Sequence, residues 1–388
     1  MIPEPHGGRL VDRCLSEARA EIRRAELRDL PKIRPFIDEL YDAEKIAVGA
    51  YSPLEGFMGQ ETLGSVLTTG RLPGGLPWSI PILLAPRGGP NEATVGSVRP
   101  GDEVALLGAD ERLLALLRVE EKFPIDKKAI ASATFGTIDP THPNVADLLA
   151  TGSTALAGRL DLVERMALPT GSYEWTPSET RERFRARGWK NVAAYQCRNP
   201  PHTAHEYLQR LTLEREEIDG LFIHPVVGRL KPGDYRPDVI LRAYHALVEH
   251  YHPKDRVLLA AFSIAMRYAG PKAALFLAIV RQNFGCSHYI VGRDQAGVGR
   301  FYDPYAAHRI FDEFPLGIRP LRYEETFYCK TCGWMATVKT CGHPVSDRLD
   351  TSQTRIRKAL AEGRPPPAEL VRPEVAEVLR GPDVLLRE

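Results

Sequence analysis

The sequence predicts an α/β protein in three parts: a mostly β N-terminal part, a parallel α/β centre and a small C-terminal part. Three observations carry that prediction. At 388 residues the chain exceeds one ordinary compact core. Strand and helix signals alternate from about residue 170 onward. The tail gathers Cys329, Cys332 and Cys341, three of the 6 cysteines, with His343 beside them. The predicted boundaries are 1–168, 169–325 and 326–388.

In the first part, short β-like runs such as Trp78–Leu84 and Glu103–Leu107 sit among turn residues, the second run ending at Gly108-Ala-Asp110. The second part opens on Thr176-Pro-Ser-Glu179, a capping box with proline at the first helical position, and Gly188 stops that helix. Strands are expected at 191–195, 220–224, 257–262 and 288–291, with helices near 203–216, 238–251 and 271–284 between them. Such spacing calls for a parallel sheet, whose ligands bind beyond the carboxyl ends of its strands. In the third part a short helix is expected over 352–362, ended by Gly363 and Pro365, and another from Pro373.

With 43% hydrophobic and 26% charged residues, the composition is that of a globular protein rather than a disordered one. A formal net charge of +1 supplies no global attraction to nucleic acid or to an anionic membrane. No apolar run is long enough to span a bilayer, and the first residues lack a secretory pattern, so a cytoplasmic location is expected.

Two loops at expected strand ends carry the polar residues. The first is Gln196-Cys-Arg-Asn-Pro-Pro-His-Thr-Ala-His-Glu206. His202 and His205 fall three apart, on one face of the first turn of a helix whose N-terminus suits phosphate. Arg198 supplies a planar fork for a tetrahedral oxyanion, and Gln196 and Asn199 supply amide donors. The bland alternative, a surface His-x-x-His pair or half a metal site, leaves the arginine and amides unexplained, and the order His-x-x-His-Glu fits no metalloprotease pattern. The second loop, Gly292-Arg-Asp-Gln-Ala-Gly-Val-Gly299, has three glycines that permit close backbone approach to an anion. It fits neither the dinucleotide fingerprint nor a phosphate loop. Ser352 is an expected N-cap, and Thr354 with Arg355 or Arg357 is placed to meet a triphosphate tail; an ordinary capped amphipathic helix is an equal reading.

These motifs resemble those of the ATP sulfurylases. Gln196-Cys-Arg-Asn-Pro with His202 and His205 is similar to the family's Gln-Thr-Arg-Asn-Pro and His-x-x-His, and Gly292-Arg-Asp-Gln-Ala-Gly297 to its Gly-Arg-Asp-His-Ala-Gly. The likeness extends through His6–Arg13, Gly49–Gly59, Phe135–Pro140 and Met266–Pro271, nearly the whole chain. It implies an N-terminal PUA-like domain, a nucleotidyltransferase-type centre and a small third domain. It implies sulfate on Gln196, Arg198, Arg293 and the Ala296 backbone N–H, and ATP on Arg198, Asn199, His202, His205, Gly292, Arg293, Asp294 and Gln295. MgATP and sulfate would give adenylylsulfate and pyrophosphate, with Cys197, Arg198, Asn199, His202 and His205 as the catalytic set. Sulfate is already ionised and needs no general base. Cys197 stands where the family has threonine, and Gln295 where it has histidine.

Cys329, Cys332, Cys341 and His343 offer three thiolates and an imidazole in two tight knuckles, the pattern of a closed structural zinc site; a redox Cys-x-x-Cys pair is the alternative. Two further readings compete: a nucleotidyltransferase acting on a different oxyanion, and an RNA-binding protein built from a PUA-like domain and a zinc ribbon. The resemblance also implies a homo-oligomer, a dimer, and a separate adenylylsulfate kinase or reductase downstream, since no phosphate loop for a fused kinase is present.

Overall fold

The computed structural model describes residues 2–229, 233–349, 351, 353–381 and 383–386. In the N-terminal part six strands make one sheet: β1 (Lys32–Ile33), β2 (Gly56–Phe57), β3 (Glu103–Leu107), β4 (Leu113–Arg118), β5 (Glu121–Pro124) and β6 (Thr154–Leu162). Their order is β1-β3-β4-β6-β2, with β5 also on β6. Helices α1 (Glu17–Ala25), α2 (Ile37–Ala47), α3 (Gln60–Thr69), α4 (Gly89–Ser97), α5 (Lys127–Phe135) and α6 (Pro143–Leu149) surround it. Local chemistry sets their ends. The Asp126 carboxylate accepts the N–H groups of Lys128 and Ala129, each at 3.0 Å, to start α5, and Gly136 at φ 71° ends it.

Trp78–Leu84 departs from the expected strand. It is a largely buried extended segment, joined to the sheet by the bridge Leu84–Leu156 and by Met58 N, just past β2, donating to Ile82 O at 3.1 Å. Pro77 and Pro81 lack the N–H groups a ladder needs, so the run is apolar without being a strand.

The central sheet is parallel throughout: β7 (Val192–Tyr195), β8 (Gly220–Ile223), β9 (Val257–Leu259), β10 (His288–Val291) and β11 (Arg319–Arg322). Helices α7 (Pro177–Ala186), α8 (Thr203–Leu213), α9 (Pro237–Tyr251), α10 (Pro271–Asn283) and α11 (Ala306–Glu313) connect and cover it. Strand order is β11-β10-β7-β8-β9, so the winding reverses between β7 and β10. The capping box is present: Thr176 Oγ1 accepts Glu179 N at 3.2 Å, and Glu179 Oε2 accepts Thr176 N at 2.6 Å.

The N-terminal part and the central sheet share a core. Ala273 to Asn283 of α10 are all buried, and Phe276 packs edge-on against Tyr51 and Trp78. Asn283 stitches the join with one side chain: its Nδ2 donates to Ala50 O and Ser52 O, both at 3.0 Å, and its Oδ1 accepts His6 N at 2.8 Å. Lys45, fully buried, pairs there with Glu44 at 3.0 Å and Glu174 at 3.4 Å.

At the C-terminal end β12 (Phe327–Cys329), β13 (Trp334–Ala336) and β14 (Arg348–Leu349) form a small antiparallel sheet whose own core, among the described residues, is Phe327, Cys329, Ala336 and Cys341. Helices α12 (Gln353–Ala361) and α13 (Pro373–Leu379) instead bury Ile356, Val375 and Leu379 in one core with α9 of the central part. The expected N-cap Ser352 lies outside the described residues.

Candidate active site

Where winding reverses, the loops after neighbouring strands diverge and leave a crevice at their carboxyl ends. Here those loops are 196–202 after β7 and 292–300 after β10. They line a cleft of about 420 Å³. Gln196, Cys197, Arg198, Asn199, His202 and His205 come into it from the first loop, and Gly292, Arg293, Asp294, Gln295 and Ala296 from the second. All eleven residues expected at the nucleotide and anion site are therefore brought together.

The first loop runs on from β7 in extended form, with Cys197 O accepting Val226 N at 2.9 Å. It bends at Arg198 and Asn199, and Pro200 and Pro201 then delay the helix until His202, the N-cap of α8. The His202 and His205 rings stack, centroids 3.7 Å apart at 24°. Burial depresses the His205 pKa to about 3, so its imidazole is neutral before any anion arrives.

Cys197 Sγ lies 3.7 Å from His205 Nε2 and accepts Asn199 N at 3.4 Å. Burial pushes its thiol pKa up, which keeps it a thiol and removes the basis for reading it as an oxidation-sensitive thiolate. Because its contacts are weak hydrogen bonds and packing, Cys197→Thr is expected to retain or raise kcat, by up to about fivefold at one added hydrogen bond of roughly 1 kcal/mol. Steady-state kinetics check this, and complete loss of turnover would give the sulfur a role of its own.

Each arginine meets a carboxylate. Arg198 Nη1 is 3.6 Å from Asp234 Oδ1 and its guanidinium lies 5.1 Å over the Tyr268 ring. Arg293 Nη1 is 3.0 Å from Asp294 and 3.5 Å from Glu325. The forks are thus held ready by anionic groups that an incoming oxyanion must outcompete. Asp294 and Ala296 adopt φ of 54° and 57°, left-handed values that cost a side-chain-bearing residue about 1 kcal/mol each. The strain therefore falls beside the glycines, and a Cβ on Gly292 would meet nothing within 4 Å because the cleft lies above it.

A third wall escaped sequence reasoning. Met266 and Tyr268, from the segment after β9, line the cleft. Asn144 of α6 holds their backbone: its Nδ2 donates to Met266 O at 3.2 Å and its Oδ1 accepts Tyr268 N at 2.7 Å. Gly228 makes room for this segment, since a Cβ there would lie 1.8 Å from Ile264 O. Asp234 and Glu325 were missed as well, being acidic residues with no pattern around them. Of the α12 residues, Arg357 reaches the site, donating to Asn199 Oδ1 at 3.0 Å and lying 3.6 Å from Asp234. Thr354 and Arg355 are exposed and do not line the cleft.

Comparison with known proteins decides the family. The family model described as ATP-sulfurylase matches residues 171–381, and one described as a PUA-like domain matches 3–165. The chain belongs to the ATP-sulfurylase family. Among its relatives, the sulfate adenylyltransferase of Hyperthermus butylicus is 48% identical, over 98% of this chain and 96% of the relative. That of Symbiobacterium thermophilum is also 48% identical, over 97% and 95%. Among solved structures, the hexameric APS kinase from Thiobacillus denitrificans superimposes with a TM-score of 0.76 at 26% identity, covering 98% of this chain and 68% of its own. In this ATP-sulfurylase chain the cleft and the metal-ligand cluster are separate, for none of the four cluster residues lines the cleft.

That cluster has metal-site geometry. The ligand atoms of Cys329, Cys332, Cys341 and His343 all lie within 4.8 Å of one another. Cys332 Sγ is 3.7 Å from Cys341 Sγ, and His343 Nδ1 is 3.3 to 3.5 Å from the three sulfurs. Ligands about 2.0–2.3 Å from one tetrahedral centre stand roughly 3.5–3.8 Å apart. No helix is long and apolar enough to cross a membrane among the described residues.

Proposed function

We propose that this cleft joins sulfate to the AMP portion of MgATP and releases pyrophosphate, the sulfate adenylyltransferase reaction. One observation carries the reading: two arginine-bearing loops and a stacked histidine pair meet at the switch point of a parallel sheet. In this reading Gln196, Arg198, Arg293 and the Ala296 N–H hold sulfate. The buried Gln196 Oε1 accepts no hydrogen bond from the described residues, so that end of the amide is not committed to a protein partner. Asn199, His202 and His205 meet the phosphates, and Gly292 to Gln295 the rest of the nucleotide. A sulfate oxygen attacks the α-phosphorus while the bond from that phosphorus to the β-bridging oxygen breaks, so pyrophosphate leaves toward the histidines. The residues contribute position and charge rather than proton transfer: they hold two mutually repelling anions in line. Gln295 donates to Tyr289 Oη at 3.0 Å, so it is tethered and brings no charge to the loop.

The Cys3His cluster fits zinc, through its soft donors and closed tetrahedral spacing, in a structural role. Its free thiols suit a reducing, cytoplasmic setting. The three-part division at 168/169 and 325/326 is kept as a reading of the chain, as are a homodimer and a separate kinase or reductase that consumes adenylylsulfate. Sedimentation of the purified protein tests the dimer.

Pyrophosphate release from MgATP, with pyrophosphatase present, tests the reaction. Release that depends on sulfate and yields adenylylsulfate is expected. Absence of turnover here and in the reverse assay, from folded protein, would pass the cleft to a different oxyanion.

A further inference from the structure

The phosphate end of the cleft is held from outside. Glu206 follows His205 on the first turn of α8 and is 1% exposed. Its carboxylate accepts Arg372 Nε at 2.7 Å and Nη2 at 2.8 Å, and Arg210 Nε at 2.8 Å. Arg372 is the N-cap of α13, and its guanidinium lies 4.5 Å over the Tyr251 ring and 4.9 Å over the Trp334 ring. Trp334 belongs to β13, the strand that follows the first cysteine knuckle. Its neighbour Met335 brings Sδ to 3.5 Å from Thr203 Oγ1. Thr203 N and Oγ1 in turn donate to Leu370 O at 2.8 Å and Glu369 O at 2.9 Å. The residues flanking Ala204 and His205 are therefore pinned by the C-terminal segment and the metal-bearing sheet.

Electrostatics gives this arrangement a consequence. Glu206 is a carboxylate in the turn that, on the reading above, receives the leaving pyrophosphate. Unpaired, it would repel that anion and oppose the favourable field of the helix start. A planar fork on two of its sides cancels the charge and fixes the turn.

We propose that Arg372 is a positioning residue for the His202–His205 pair, neutralising Glu206 and, with Trp334 stacked on it, tying the metal-bearing sheet to the phosphate end of the cleft. This rests on the sulfate adenylyltransferase reading for the identity of the anion. The test compares wild type with Arg372→Gln and the double variant Glu206→Gln/Arg372→Gln, in the reverse reaction from adenylylsulfate and pyrophosphate. The single variant should raise the KM for pyrophosphate about 10- to 100-fold. Its forward KM for sulfate and its metal content should stay at wild-type values. The double variant, which also removes the carboxylate that Arg210 alone is left to balance in the single one, should return to within a few-fold of wild type. An unchanged pyrophosphate KM in the single variant would overturn the proposal. So would equal losses for sulfate and pyrophosphate, or a double variant as weak as the single. If the single variant does not fold, the double variant decides alone by the same pyrophosphate KM. Calorimetric pyrophosphate binding gives the comparison without turnover, so an inactive wild type would count against the reaction and still test Arg372.

Discussion

Arg198→Ala is expected to abolish sulfate-dependent turnover while the fold stays intact. The guanidinium is about one-third exposed, and its contacts are one ion pair and one ring face, so its loss removes little packing. On the proposed sulfate adenylyltransferase reading, what disappears is a charge-assisted fork for a dianion at the point of attack. Losing one such partner costs on the order of 2–5 kcal/mol, about 30- to 5,000-fold in rate. Asp234, left facing the site with Arg357, adds repulsion. The decisive comparison is kcat/KM for sulfate against ATP binding by calorimetry. A drop of about 10³-fold in kcat/KM for sulfate is expected, larger than the loss of ATP affinity, and wild-type turnover would remove Arg198 from the anion site.

The second large effect is expected from the metal. Among the described residues the small sheet and its loops cluster only Phe327, Cys329, Ala336 and Cys341 into a core of their own, two of them candidate ligands. So small a core does not hold a sheet without a staple. One zinc per chain is expected by elemental analysis of reduced protein, and Cys329→Ser should lose it. In peptides, structural zinc binding contributes on the order of 10–16 kcal/mol, far more than this sheet's own packing. Proteolysis between residues 326 and 349 should therefore become rapid in the variant while the central sheet persists. Wild-type protein without metal, or a protease-resistant Cys329→Ser, would refute the assignment.

Legibility in the sequence followed how local each cause was. The Thr176–Glu179 box and the Gly-ended helix were readable because capping is settled within four residues. Strand β11, Arg319-Pro-Leu-Arg322, was not, because at a sheet edge only Leu321 needs to be buried. Its preceding helix α11 went unread with it. Trp78–Leu84 misled for the converse reason, apolar burial without ladder hydrogen bonds. Within the cleft, the two loops stood out because each packs several donors into a few residues. Asp234 and Tyr268 did not, since their relevance arises only where strands β7, β8 and β10 set distant segments side by side. Asn144 is the extreme case: a helix residue of the N-terminal part whose partners lie more than 120 positions away.

The reversal of winding between β7 and β10 has a consequence for how variants of this protein are interpreted. The crevice exists because two backbones part company, and its opening owes nothing to the size of any residue in it. Truncating Gln196, Arg198 or Arg293 should therefore leave the hollow open and its rim in place. Losses measured in such variants can be assigned to missing charge and missing donors, not to collapse of the container.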